Sequence, residues 1–264
     1  MSDTMKQVYL YDGSFEGFLC CIFESYIKKE TPVDIVPDTF EQFFLYPIKE
    51  IETNRRHADR VFRSFDIKMS PEVTDFIKCG FLTCHPKKEM LMYRFIRKGY
   101  RVGGGIIDCL ADPDVHELYR AVKHLKSEAH LLRGFIRFSE YNKTLVSVIA
   151  PKNWVLPLLA EHFSDRYNGE TFMIYDEVHH SALIYHPYEW MLVPVEDFTL
   201  PEADEEELLF QQLWQRFYNT IGIKQRFNPK CQMTHMPKRY WSHTVEHQPE
   251  RLGEYGQKKH LSGT

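Results

Sequence analysis

FIRFSEYNKTLVSVIA, residues 135–150, alternates apolar and polar side chains on either side of Asn142-Lys143. Two strands, 135–141 and 144–150, meeting in a tight hairpin account for that alternation and for the turn-forming pair between them. A second pair follows the same logic. TFMIYDEV (171–178) and SALIYH (181–186) flank His179-His180, and EWMLVPV (189–195) reads as a further strand. Between the pairs, NWVLPLLAEHFSDRYNG (153–169) is predicted as a helix, with Pro157 early enough to be tolerated and Asn168-Gly169 closing it. Hairpins alternating with helices predict an α+β fold whose sheet is largely antiparallel.

Upstream, the chain is mostly helical. QVYLYDG (7–13) is strand-like, and Ser14 can then cap a helix whose apolar stripe is Phe15, Phe18, Leu19, Ile22, Phe23, Tyr26 and Ile27. FFLYPIKEI (43–51) is extended. Thr53 is the expected cap of a helix that turns Ala58, Val61, Phe62 and Phe65 inward and leaves Arg55, Arg56, Arg60 and Arg63 outward. Ser70-Pro71-Glu72 is a helix start, and Asp112-Pro113-Asp114 opens the clearest amphipathic run, Val115 to Leu132, ended by Gly134. The acidic, proline-bearing joint at 194–207 divides the chain into a core, residues 1–200, and a helix with a basic C-terminal segment, residues 201–264.

The 264 residues are 43% apolar, 27% charged and 14% aromatic, the balance of a soluble globular protein. There is no run of 18 or more apolar residues and no basic-then-apolar amino end, so neither a membrane span nor a signal peptide is expected. Six cysteines without a CxxC pair fit free thiols in a reducing cytoplasm. Cys79-x4-Cys84-His85 misses zinc spacing and lacks a second pair, and no Walker, GxGxxG, GxSxG, HExxH or deaminase pattern occurs. No metal or cofactor is therefore expected.

Two clusters carry possible chemistry. From Leu208 to Val245 there is no Asp or Glu, yet Arg216, Lys224, Arg226, Lys230, Lys238 and Arg239 lie there among aromatics that include Tyr240 and Trp241. Cations suit phosphates and aromatic faces suit unpaired bases, so these eight residues form an expected nucleic-acid contact. The alternative is a solvated face whose Trp214 and Phe217 pack back on the core. The second cluster is internal. Asp176 shares a strand face with Phe172 and Ile174, His162 and Arg166 lie one helical turn apart, and Arg137 shares a face with Phe135. With Glu128 approaching from the long helix, these groups could form an anion pocket or place an Asp-oriented histidine as a general base. His162, Asp176 and Glu128 are the catalytic candidates of that reading. A buried Asp satisfied by Arg and His explains the same residues without catalysis. Asp12-Gly13, at a strand-to-helix corner, offers backbone N–H groups to an anion, and Gly17 permits close approach of a neighbour.

YDGSFEGFLCCIFESY, SEAHLLRGFIRF, PLLAEHFSDRY with IYDEVHH, and WQRFYNTIGIKQRFNPKCQMTHMPKRYW resemble, in order, a bacterial family of DNA-metabolism proteins built on a domain of unknown function. The resemblance implies association with a radical S-adenosylmethionine protein of DNA repair or modification, and some members add a uracil-DNA-glycosylase-type domain. It implies no catalytic residue. His179-His180 departs from it, standing where an arginine-type turn is expected. The reading is a cytoplasmic DNA-binding accessory in repair or modification. An enzyme on nucleic acid or nucleotide using the Arg/His/Asp pocket, and a protein-interaction module with a basic tail, are the alternatives.

Overall fold

A computed structural model describes residues 6–39, 44–196, 198–199, 205–221 and 228–247. The chain divides into two compact units, Met1–Leu125 and Lys126–Thr264. The structural division thus falls at 125/126, whereas the change of composition that marks a boundary in the sequence falls near 200. Part of that acidic joint (197 and 200–204) lies outside the described residues.

In the first unit, β1 (Val8–Tyr11) leads into α1 (Phe15–Ile27), and β2 (Asp34–Pro37) and β3 (Ile48–Glu50) follow. The three strands form a parallel sheet in the order β2-β1-β3. Three helices continue the chain, α2 (Arg55–Lys68), α3 (Pro71–Phe81) and α4 (Lys88–Val102), and a fourth, α5 (Pro113–Phe135), begins in this unit and runs past its end at Leu125. Ser14 and Ser70 cap α1 and α3 as their positions predict, each accepting a backbone N–H three residues on. The cap of α2 is Asn54 rather than Thr53: Asn54 accepts from the amides of Arg56 and His57, while Thr53 donates to Asp12. The stripes of these helices close one core in which Tyr9, Phe18, Phe65, Phe95 and Ile77 are fully buried.

The second unit holds a five-stranded mixed sheet in the order β4-β5-β6-β7-β8: Ser139–Tyr141, Thr144–Ile149, Phe172–Asp176, Ser181–His186 and Glu189–Pro194. Three of its pairings are antiparallel. The hairpin at Asn142-Lys143 has positive φ at both turn residues, 49° and 64°, the primed turn that matches strand twist. β5 and β6 instead run parallel, because α6 (Leu156–Arg166) carries the chain across between them. α6 packs on β7 and β8, and Phe163, Tyr167, Phe172 and Tyr185 stack through the core beneath it. α7 (Glu205–Ile221), α8 (Pro229–His235) and two short 3-10 turns (Lys238–His243 and Val245–His247) complete the unit. Among the described residues no helix is long and apolar enough to cross a membrane.

Candidate nucleic-acid interface

One buried carboxylate gathers several donors of the C-terminal segment and of the loop before α6. Glu128 falls on the apolar stripe of α5, three residues after Leu125 and four before Leu132, and is 2% exposed. A carboxylate there must be saturated with donors. Its Oε1 accepts from Lys152 N at 3.0 Å, from the Arg239 guanidinium at 2.8 Å and from Tyr240 Oη; its Oε2 accepts from Asn153 N at 2.8 Å and Asn153 Nδ2 at 2.6 Å. Burial pushes the Glu128 carboxyl up, but hydrogen bonds from Tyr240, Lys152 and Asn153 outweigh it and hold it below the usual range. Arg239 also donates to Tyr240 Oη, and its guanidinium lies over the Tyr240 ring.

This arrangement revises the roles expected of three residues. Tyr240 is buried and donates to Glu128, and Arg239 is tied to the same carboxylate while staying exposed. Glu128, with both oxygens engaged by five donors, is a structural anchor rather than a proton carrier. The missing partner in the sequence reading is Asn153, fully buried just before α6. Its signal was available in Glu128 itself: an acid on a helix stripe demands donors from outside that helix.

What remains at the surface is cationic and aromatic. Lys238 is exposed and its Nζ lies 5.8 Å from the Trp241 ring. That ring is fixed by Trp241 Nε1 donating to Met236 O at 3.0 Å and by stacking on His247 at 4.4 Å. Arg137 lies 5.5 Å over Trp214, with Glu246 3.8 Å from its guanidinium. Arg216 and Lys230 are exposed, and Lys224 and Arg226 lie outside the described residues. Trp214 and Phe217 do not pack back on a core: they are 38% and 52% exposed, and Leu209, Phe210, Leu213 and Ile221 of the same helix are open as well. α7 is held instead through its polar side, Glu207 accepting from Glu140 N and Gln215 donating to Val245 O.

The internal constellation does not form as the sequence suggested. Asp176 is fully buried, as its face predicts, but its Oδ1 accepts from the amides of Val178 and His179 and its Oδ2 meets His179 Nδ1 at 2.7 Å. It closes its own turn, with His180 at φ 47° beside it. His162 Nε2 is buried with no hydrogen-bond partner among the described residues, and desolvation together with Arg133 and Arg166 holds that imidazole below its ordinary value. Arg166 rests over the Tyr167 ring. Arg137 is not on a strand, because α5 runs on to Phe135 and β4 starts only at Ser139; its Nη1 donates to the carbonyls of Gly134 and Ile136. Asp12 and Gly13 belong to the other unit. Both Asp12 oxygens are taken, by the Ser14 amide and hydroxyl and by Thr53, which ties the corner to the start of α1. Among the described residues no three His, Cys, Asp or Glu side chains converge as a metal site would need.

Residues 86–246 match the family model of a domain of unknown function, DUF4130. The chain belongs to the DUF4130 family. The matched span runs from just before α4 to the last 3-10 turn, so the Glu128 anchor, its Arg239 and Tyr240 donors, and the Lys238–Trp241 pair all lie inside the DUF4130 domain. No curated protein and no solved structure matches the chain.

Proposed function

We propose that this DUF4130 protein binds DNA through its C-terminal segment and serves as an accessory in DNA repair or modification, beside a radical S-adenosylmethionine enzyme that supplies the chemistry. The carrying observation is the exposed Lys238 ammonium set beside a Trp241 ring that is held in place, within a stretch without acids from Leu208 to Val245. A cation next to an immobilised aromatic suits a phosphate flanked by an unpaired base, and exposed Arg216 and Lys230 add charge along the same stretch. The choice of DNA and of the partner enzyme rests on the family resemblance. Six free cysteines suit a cytosolic setting.

The test is fluorescence anisotropy with single-stranded and duplex DNA over a salt series. Lys238→Ala removes one phosphate contact, so the log–log salt slope should shallow by about 0.9 on duplex or about 0.7 on single strands. No binding at low salt, or a slope unchanged in a Lys230→Ala/Lys238→Ala double variant, would sink the proposal.

A further inference from the structure

We propose that a concave site on the first unit, formed by α1, α2 and α4, binds a nucleoside phosphate, either free or at the end of a nucleic-acid strand. The site is independent of the C-terminal segment, since none of its residues comes from there. It encloses about 460 Å³, and sites for small molecules usually span roughly 300–1,000 Å³. Arg60, Lys68, Arg97 and Arg101 line it, and no carboxylate does.

Those cations are held by neutral groups. The Lys68 ammonium lies 5.0 Å from the Tyr100 ring, the Arg97 guanidinium 5.6 Å from Tyr26 and the Arg60 guanidinium 5.9 Å from Phe23. Arg97 Nη1 donates to Thr31 Oγ1 and Tyr93 Oη, each at 2.9 Å. Among the described residues none of the four forms an ion pair. The rest of α4 behaves differently: Arg94 pairs with Asp114, and Lys98 with Asp112 and Asp114. On a single helix, Arg94 and Lys98 are thus neutralised by carboxylates while Arg97 and Arg101 are not. Four like charges converging on a concavity repel one another and focus a positive field, and a bound anion relieves that cost. Guanidinium groups free of carboxylates can engage phosphate oxygens bidentately.

The walls demand more than phosphate. Phe23, Tyr26 and Tyr100 supply rings, with Tyr26 and Tyr100 edge to face at 5.6 Å, and Ile22, Ile27 and Val61 supply apolar surface. Tyr26 and Ile27 are 44% and 57% exposed at the mouth. Ser64 Oγ donates to Val61 O, so Tyr100 Oη donates to Ser64 Oγ at 2.6 Å, and the pair keeps acceptor lone pairs for a donor on a sugar or base edge. Phosphates on the cations and a base against the aromatic and aliphatic wall satisfy both halves of the site.

The experiment is a chemical-shift titration of the full-length, 15N-labelled chain. ADP, a 5′-phosphorylated pentathymidine, its unphosphorylated counterpart, adenosine and inorganic phosphate are added separately. ADP or the phosphorylated strand should shift amides within 22–27, 60–68 and 97–101, and adenosine should not. ADP alone would assign a free nucleotide. A strand that requires its 5′-phosphate would assign a strand end. Arg97→Gln/Arg101→Gln should weaken the ligand that binds by roughly tenfold or more, whereas Lys123→Gln, at an exposed lysine outside the site, should leave these shifts unchanged. The proposal is overturned if neither nucleotide perturbs these amides at millimolar concentration, if inorganic phosphate reproduces the ADP response, or if a folded double variant binds like the wild type. Should the double variant fail to fold, the wild-type shift map alone decides.

Discussion

At position 128 a carboxylate with 2% exposure accepts five hydrogen bonds, two from backbone amides and three from side chains as distant in sequence as Tyr240. Glu128→Ala removes the acceptor that Lys152, Asn153, Arg239 and Tyr240 share, so urea unfolding should report a loss of about 1–3 kcal/mol. Glu128→Gln keeps the shape and some of the acceptors and should cost less. The pH dependence has a fixed sign. The folded carboxyl titrates below its ordinary value, so its stabilisation is present above the unfolded value near 4.5 and is lost as the pH falls through the lower folded one. Stability measured from pH 7 down to 3 should therefore fall more steeply in the wild type than in Glu128→Gln; parallel curves would contradict the assignment. Gly17 makes a second residue-scale case. A Cβ there would sit 2.2 Å from Asp12 Oδ1 and 2.8 Å from Thr53 Oγ1. Gly17→Ala must break the bonds that close the corner, and a loss of about 1–3 kcal/mol in thermal or urea unfolding is expected.

At the scale of elements, α7 reverses the usual rule: Glu207 and Gln215 tie down its polar side, while Leu209, Phe210, Leu213 and Phe217 stand open. Leu213→Ser/Phe217→Ser should change monomer stability by no more than about 0.5 kcal/mol per site, whereas Phe163→Ala, which empties the stack under α6, should cost about 3–5 kcal/mol. Equal losses in urea unfolding would mean the α7 face is covered. Sequence reading handled some elements well, and the reason is local chemistry. Ser14, Ser70 and the Asn142-Lys143 turn are decided within four residues, and all three stand as read. Non-local choices were illegible. Phe135 to Phe138 alternates like a strand, yet the helix arriving from Pro113 carries through Phe135, which removed Arg137 from the face it was expected to share. The parallel pairing of β5 with β6 depends on the α6 crossover, which no short pattern encodes. β2 has only four residues, and α4, with five cations and a mixed face, gave no clean stripe. The candidate site was half legible for the same reason: the cations and rings were visible, but their division between Glu128 and the surface depended on a contact spanning 111 residues.

For the whole molecule the issue is whether DNA binding would belong to the basic segment or to total charge. The chain carries a net charge of −4, so general electrostatic attraction to a polyanion is absent and any attraction must come from local fields. Two variants of identical net charge separate the possibilities. One replaces Arg216, Lys230 and Lys238 with Glu; the other replaces Lys87, Lys123 and Lys143, which are also exposed, with Glu. Under local recognition the first variant loses DNA binding at low salt and the second keeps most of its affinity, because screening shortens the reach of a distant charge to about 10 Å at 0.1 M salt. Anisotropy at matched ionic strength reads the difference directly. Equal loss in both would assign the binding to total charge and remove the reason to single out Lys238 and Trp241. Retained binding in the first variant would move the contact elsewhere, and the unpaired cations of the first unit, Arg60, Lys68, Arg97 and Arg101, would then be the next to exchange.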